Sequence, residues 1–204
     1  MQIPLRLAGS VAALGVALMC ARPRAASGVD IGSQHLAITE LRAVTLTLSV
    51  TSAAFRTLDL MPERFTDYGE KTWPPLAWSG QSPATKSFVL IVEDPAAQPA
   101  SPGPFVHWVL FNLPGTTTSL PESIPATATV PTLGGALQGQ NSAGAIGYVG
   151  PHPRAGDPPH YYYFQVFALD TMLTVPPGAP RSSVIAAIDG HILAMGQVIG
   201  TFKK

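Results

Sequence analysis

The sequence predicts an antiparallel β-sandwich dominated by strands, with one late α-helix before the last strand. Three observations predict it: several short runs rich in β-branched and aromatic residues, loops dense in proline and glycine between them, and a single stretch of helical periodicity near the C terminus. Short strands separated by turn signals are typical of sandwiches. No internal repeat and no second domain boundary interrupts the pattern.

Five runs are predicted as strands. Residues 44–50, VTLTLSV, alternate apolar and polar side chains, which indicates a half-buried strand. Residues 86–95, KSFVLIVEDP, and residues 105–114, FVHWVLFNLP, are densely apolar and end at a proline, which predicts interior strands. The other two are the aromatic run HYYYFQVFALD at residues 160–170 and GQVIGTF at residues 196–202.

The helix is predicted over residues 182–196, SSVIAAIDGHILAMG, with Ser182 or Ser183 as its N-cap. Its apolar residues at helical spacing are Val184, Ile185, Ile188, Ile192 and Met195. Gly190 inside this helix costs about 1 kcal/mol relative to alanine, so we expect a bend or an anchoring contact there. His191 lies between apolar neighbours and is expected to pack structurally.

The charge of the chain is low and balanced. Of 204 residues, 46% are apolar and only 12% are charged, with 12 basic and 12 acidic side chains. This composition supports one domain with a sizeable core. Because no basic stretch is present beyond the two terminal lysines, a nucleic-acid partner is not expected.

The N terminus has the pattern of a secretory signal. Arg6 is followed by an uncharged run of 14 residues, 7–20, and then by small residues around Ala26. A spanning helix needs about 17–25 residues, so no stable membrane span is expected in the mature form. We therefore predict a signal peptide at residues 1–27, a domain at residues 28–204, and export to the periplasm or the medium.

Cys20 closes this apolar run, which raises lipoprotein processing as an alternative. The preceding residues, ALM, fit that processing poorly, because it favours a small residue directly before the cysteine. If cleavage falls near Ala26, the mature chain has no cysteine and tolerates an oxidising compartment without disulfides.

Four polar side chains lie on apolar strand faces, because alternate residues of a strand share a face. They are Asp94, His107, His160 and Tyr162. The predicted neighbours on those faces are Phe88, Leu90 and Val92 for Asp94, Phe105, Val109 and Phe111 for His107, and Phe164 and Val166 for His160 and Tyr162. Unpaired polar groups are costly in such places, so we expect the four side chains to meet.

These residues allow two interpretations. A lone core histidine usually bonds a backbone carbonyl, and an aspartate before proline usually caps a turn. Alternatively, a carboxylate keeps one imidazole charged beside a second imidazole and a phenol, which makes a pocket for a small anion such as phosphate or carboxylate.

Metal binding and catalysis are weaker interpretations. Asp94, His107 and His160 come from distant segments without a compact ligand spacing, so no metal and no cofactor is predicted. No GxSxG motif is present, and Ser142 is a loop serine, so the chain is not expected to be an enzyme. A serine hydrolase assembled by the fold, with His160 as base, remains open.

Other aromatic rings are assigned structural roles. Trp73, Trp78 and Trp108 are expected in the core or the pocket wall. His152, in the Pro/Gly loop, is expected to face solvent.

Several blocks, in order, resemble the phosphatidylethanolamine-binding protein family, specifically its bacterial Raf-kinase-inhibitor-like branch. They are PPLAWSG, SFVLIVEDP, HWVLFNLP, residues 140–170 and GHILAMGQVIGTF. The resemblance covers roughly residues 55–202. It implies an antiparallel β-sandwich whose small pocket takes phosphate-like anions, including phospholipid headgroups.

The resemblance also implies which residues bind the ligand. Asp94 matches the first acid of the family's DPDAP block, and His107 the histidine that opens the next strand. Gly150 matches the glycine of the GPxPPxG loop. His160 and Tyr162 match the histidine and tyrosine of the HRY block.

The chain departs from the family pattern near this pocket. DPDAP reads DPAAQ, so Ala96 replaces the second acid and Gln98 the last proline. Arg154 stands at the second proline of the loop, and Tyr161 at the arginine of HRY. Pro153 and Arg154 are expected at the rim, where Arg154 either adds positive charge or points to solvent.

The expected function is therefore binding of a small anion, most of all a phosphate headgroup, by an exported protein, with the loop at residues 150–159 supplying backbone donors. The alternative is an interaction or inhibitor module that engages a protease, a kinase or another envelope protein through the loops at the pocket rim. Tyr161 and Tyr163, which face away from Tyr162, would serve such a surface or the packing of the sandwich.

Overall fold

The computed structural model describes residues 36–41, 47–97 and 103–204, and the expected signal peptide lies outside these ranges. The helices are α1 (Ala37–Glu40) and α2 (Arg181–Ile188), and the strands are β1 (Ser49–Ser52), β2 (Leu76–Ser79), β3 (Ser87–Asp94), β4 (Phe105–Pro114), β5 (Ser119–Leu120), β6 (Thr129–Val130), β7 (Ala136–Gln138), β8 (His160–Leu169) and β9 (Ile192–Phe202). Short 3₁₀ turns lie at Glu63–Phe65 and Pro131–Leu133. No helix in the described ranges is long and apolar enough to cross a membrane.

The strands form two antiparallel sheets. One has the order β1-β2-β5, and the other has the order β6-β7-β4-β3-β8-β9. All pairs between neighbouring strands are antiparallel. The predicted antiparallel sandwich, with helix α2 before the last strand, is confirmed.

Apolar side chains fill both faces of the larger sheet. Between the two sheets lies an inner cluster that contains Trp73, Trp78 and Trp108, as expected. The opposite face carries a second cluster, which includes Ala37 of α1 and Val184 of α2. Strands covered on both faces read as continuous apolar runs, which explains the density of β3 and β4.

The two runs predicted as interior strands, β3 and β4, lie inside the larger sheet, and β8, the predicted aromatic strand, pairs with β3 beside them. The first predicted strand is only partly described, because residues 44–46 lie outside the described ranges. Strand β1 follows the expected alternation: Leu48 and Val50 are buried, whereas Ser49 and Thr51 are exposed.

The predicted helix ends early, so its second half was assigned wrongly. Helix α2 stops at Ile188, and the N–H of His191 bonds the Ile188 carbonyl at 3.0 Å to close a turn. Gly190 takes a positive φ of 79° in this turn and therefore lies outside the helix. Ile192 and Met195 belong to β9, because pairing along β8 overrides their helical spacing.

Two details of this region also differ from expectation. The N-cap position is Pro180, and neither Ser182 nor Ser183 caps the helix through its side chain. His191 is exposed and does not pack in the core: its Nδ1 lies 2.9 Å from Oδ1 of Asp170.

Candidate functional site

His107 reaches the site through a β-bulge. Val106 and Trp108 pair with consecutive residues of β3, so His107 between them has no partner across the ladder. We predicted that His107 shares a face with Val109 and Phe111, which is wrong, because those two pack in the cluster on the helix side. The extra residue interrupts the alternation and turns the imidazole to the inner side of the sheet.

Asp94 ends β3 on the inner side, where it is 1% exposed. Its Oδ1 accepts hydrogen bonds from the N–H groups of Ala96 at 2.8 Å and Ala97 at 3.1 Å. Its Oδ2 lies 2.7 Å from Nδ1 of His160. Asp94 therefore caps the turn that follows β3 and also holds an imidazole, so both interpretations of this residue apply.

His160 begins β8 and lies on the same face as Tyr162, Phe164 and Val166, the face predicted from periodicity. Its side chain is 12% exposed. The hydrogen bond to Asp94 raises the pKa of His160 above its ordinary value. Nε2 on the other side of the ring lies 3.9 Å from Oδ2 of Asp157.

The surroundings of His107 favour its neutral form, whereas those of His160 favour the charged form. Its Nδ1 lies 2.7 Å from the carbonyl oxygen of Val149, so Nδ1 carries the proton and donates. Burial lowers the pKa of His107, although Asp94 and the Val149 carbonyl favour its charged form. Nε2 is buried and has no hydrogen-bond partner among the described residues.

Tyr162 packs between the two imidazoles. Its ring meets that of His107 edge-on, with centroids 5.2 Å apart, and lies 6.4 Å from the ring of His160. Burial raises the pKa of Tyr162 far above its ordinary value, so the side chain stays a neutral phenol. Its hydroxyl group is buried and finds no partner in the described part of the chain.

These side chains surround one cavity of about 130 Å³. This volume is large enough for a ligand of a few non-hydrogen atoms. The lining residues are Asp67, Asp94, Ala97, Phe105, His107, Val149, Gly150, His152, Pro153, His160 and Tyr162. An outer groove of about 550 Å³ adjoins the cavity and shares some of its lining.

Gly150 is fixed by a close backbone approach. A Cβ atom at this position would lie 2.6 Å from the backbone nitrogen of Asp67 and 2.7 Å from the carbonyl carbon of Thr66. The segment of Thr66 and Asp67 is also hydrogen-bonded to the loop that contains Gly150, because the N–H of Asp67 donates to the Pro151 carbonyl at 2.9 Å. Glycine therefore lets the loop form one wall of the cavity.

The two expected rim residues occupy different places. Pro153 is buried and lines both the cavity and the outer groove. Arg154 is exposed, borders only the outer groove, and anchors the loop through its backbone N–H, which donates to Oδ2 of Asp157 at 2.9 Å.

His152 is exposed as expected, but it also lines the cavity. Its ring stacks on Tyr68 with centroids 4.5 Å apart, and its Nδ1 lies 3.5 Å from Oδ2 of Asp67. Sequence reasoning missed Asp67 and Tyr68, because they lie in an irregular segment where no periodicity singles them out.

Three residues considered for catalysis or for a partner surface are not part of the cavity lining: Ser142, Tyr161 and Tyr163. The Ser142 hydroxyl oxygen accepts the Val106 N–H at 2.9 Å and is not part of the cavity lining. Tyr163 is 3% exposed, and Tyr161 is half-buried. Within the described ranges, no group of three or more His, Cys, Asp or Glu side chains is arranged to hold a metal ion.

The fold is thus an antiparallel β-sandwich with a small cavity where β3 ends and β8 begins. The family model for phosphatidylethanolamine-binding protein matches residues 51–203. The chain belongs to the phosphatidylethanolamine-binding protein family, in its bacterial branch. Members of this family are generally binding proteins without catalytic activity.

Curated relatives and solved structures agree with this assignment. The UPF0098 proteins of Methanothermobacter thermautotrophicus and Aquifex aeolicus are 38% and 39% identical, each over 77% of this chain and over 99% and 89% of their own lengths. A putative homologue of the family from Chlamydia trachomatis has a TM-score of 0.68 and 35% identity. YbcL of E. coli has a TM-score of 0.70 and 30% identity. In both structural matches, 78% of this chain and 99% of the other are covered.

Proposed function

We propose that this chain is an exported binding protein for a small anion of the phosphate type, held by Asp94, His107, His160 and Tyr162. One observation carries the proposal: two residues that line the cavity each have a buried polar atom without a partner among the described residues, Nε2 of His107 and the hydroxyl of Tyr162. An unsatisfied buried polar group costs about 1–3 kcal/mol, so a ligand that bonds both atoms recovers that free energy.

The charge distribution supports an anion. Asp94 stabilises the imidazolium form of His160, whose Nε2–H is then a charge-assisted donor. The neutral phenol of Tyr162 supplies a second donor. The loop at residues 150–159 lines the cavity and the outer groove and completes the site at little ordering cost, because its prolines already restrict its conformation.

The size of the site supports a small headgroup. The inner cavity of about 130 Å³ matches a tetrahedral anion of a few atoms, and the outer groove of about 550 Å³ accommodates whatever is esterified to it. Arg154 borders this groove and adds positive charge outside the inner cavity.

Binding without catalysis fits the lining. A serine-type hydrolase that uses His160 as base needs a side-chain nucleophile within hydrogen-bond reach of it. The described residues that line the cavity include no serine, threonine or cysteine.

A titration followed by NMR tests the proposal. We expect inorganic phosphate and phosphorylethanolamine, at millimolar concentration, to shift the imidazole signals of His107 and His160. His191 is an internal control, because it is exposed beside Asp170 and does not line the cavity. Unchanged signals of both cavity histidines at saturating ligand would refute the anion site.

Two further experiments address the remaining parts of the proposal. N-terminal sequencing of the protein from a bacterial envelope fraction tests export, which predicts a start near residue 28. A pull-down with Asp94→Ala separates anion binding from the interaction alternative, which the outer groove favours: a partner that ignores the inner cavity is retained by the variant.

A further inference from the structure

The two unpartnered atoms of the cavity are of opposite kinds. Burial favours the neutral form of His107, and because its Nδ1 donates to a carbonyl oxygen, that form presents a lone pair at Nε2 and no proton. The hydroxyl proton of Tyr162 and the Nε2–H of a protonated His160 each need an acceptor. A ligand that satisfies all three must accept two hydrogen bonds and donate one.

The carboxylates around the cavity disfavour a doubly charged ligand. Asp94 is already engaged by His160 and by two backbone N–H groups, and Asp67 and Asp157 lie at the edge of the site. Asp67 is partly neutralised by Lys71, whose Nζ lies 3.1 Å from Oδ1. A second negative charge on the ligand would therefore face acidic groups on two sides.

Among the described residues, no neighbouring side chain donates a hydrogen bond to Nε2 of His107. Tyr148 has its ring centroid 6.5 Å from that of His107, but its hydroxyl donates to the Phe65 carbonyl at 3.0 Å. Phe105 packs against the imidazole with centroids 4.8 Å apart and offers no polar atom. Nε2 of His107 is thus left to the ligand.

We infer that the pocket selects a phosphate monoester, or inorganic phosphate, in its singly charged protonated form, with the P–OH group donating to Nε2 of His107. The ionised oxygens of the same phosphate accept from Nε2–H of His160 and from the hydroxyl of Tyr162. This inference rests on the proposed anion site and names its ligand class. It separates two sources of phosphate: a free monoester carries the required proton, whereas the diester of an intact phospholipid headgroup does not.

The test compares methyl phosphate with methyl sulfate by isothermal titration calorimetry at pH 5.5, after NMR has shown that the imidazole of His107 is neutral at that pH; a charged ring would overturn the inference. A monoester has its second pKa near about 6, so at this pH methyl phosphate is mostly the monoanion. The two ligands then share charge and shape and differ by one proton. Because methyl sulfate leaves Nε2 of His107 unpaired, we expect it to bind at least about tenfold more weakly. Dimethyl phosphate represents the lipid diester and is expected to bind at least as weakly.

The outcomes are distinct. If methyl sulfate or dimethyl phosphate binds as tightly as methyl phosphate, His107 does not act as an acceptor and the inference is wrong, while the anion site stands. If none of the three ligands binds, the anion site itself is wrong and the inference fails with it.

A variant gives an independent check on the atom involved. His107→Gln places an amide there that either donates or accepts, so the preference for methyl phosphate over methyl sulfate should shrink to within about threefold. Tyr162→Phe, the matched control, removes a donor used by both ligands and should weaken both equally. An unchanged preference in a folded His107→Gln protein would overturn the role of His107, and the comparison of ligands on the native protein decides the question if that variant does not fold.

Discussion

Asp94 is the residue on which the charge of the site depends. Its carboxylate is buried, and each of its oxygens is engaged: one by the turn at Ala96 and Ala97, the other by His160. Asparagine has nearly the same shape and keeps a carbonyl oxygen for the turn, but it removes the negative charge. Asp94→Asn therefore separates the electrostatic role of this residue from its structural role.

We expect Asp94→Asn to lower the pKa of His160 and to weaken phosphate binding at pH 7 by about tenfold or more, because a charge-assisted hydrogen bond is lost. NMR titration of the imidazole and calorimetry with phosphate measure the two effects. Asp157→Asn is the control, since that carboxylate lies 3.9 Å from His160 and does not bond it. Equal losses in both variants would contradict the assignment.

The ion pair of Asp94 and His160 makes the free energy of unfolding depend on pH. The raised pKa of His160 contributes to the free energy of unfolding below its unfolded value of about 6.5, and this contribution is lost as pH rises through the folded pKa. Each unit of pKa difference is worth about 1.4 kcal/mol. Urea denaturation of Asp94→Asn between pH 6 and 9 should accordingly show a shallower decline than the native protein.

At the scale of single elements, the sequence predicts some features and misses others for identifiable reasons. Strands β3, β4 and β8 are predictable, because both faces of each are buried and their apolar runs are dense. The bulge at His107 is not predictable from β4 alone, since it depends on how β4 pairs with β3. The early end of α2 is set in the same way by pairing of β9 with β8.

Four of the polar side chains singled out in the sequence, Asp94, His107, His160 and Tyr162, line one cavity, but the backbone partner of His107 could not be foreseen. The carbonyl that orients His107 belongs to Val149, which is 42 residues away in the chain. This contact depends on how the segment around Val149 and Gly150 packs against β4, which no local sequence pattern predicts.

Gly150 controls that packing, and we expect Gly150→Ala to destabilise the fold by about 1–3 kcal/mol, the usual cost of overpacking. The added methyl group would meet the backbone of Asp67 and Thr66, which cannot move as a flexible side chain does. Urea denaturation measures the loss, and phosphate affinity should fall with it because this loop forms one wall of the cavity. Ala155→Ser, at an exposed position of the same loop, is the control. Native stability and affinity in Gly150→Ala would contradict this account.

At the scale of the whole molecule, the two faces of the larger sheet hold different polar groups. Asp94 points into the sandwich, whereas its neighbour Glu93 points to the helix side and is fully buried. Glu93 accepts hydrogen bonds from the Ala37 N–H at 2.9 Å, from Nε2 of Gln165 at 2.6 Å and from Nε of Arg181. This cluster joins α1 and α2 to the sheet and lies outside the cavity lining.

We therefore expect stability and binding to be separable between the two faces. Arg181→Met leaves the Glu93 carboxylate buried without its cation, which should cost about 3–5 kcal/mol of unfolding free energy. Adding Glu93→Gln should recover part of this loss, because a neutral amide oxygen still accepts from Ala37 and Gln165 without a buried charge. Urea denaturation of the native protein, both single variants and the double variant measures this coupling.

Phosphate affinity is the measurement that tests the separation itself. In the Arg181→Met protein, assayed under conditions where it is folded, affinity should stay within about twofold of native, because the cavity residues keep their contacts; sites that share no partners usually act independently. Asp94→Asn should show the reverse pattern, with a large loss of affinity and a smaller loss of stability. If Arg181→Met weakens binding as much as Asp94→Asn does, the strand carries strain from Glu93 to Asp94, and the two faces act as one unit.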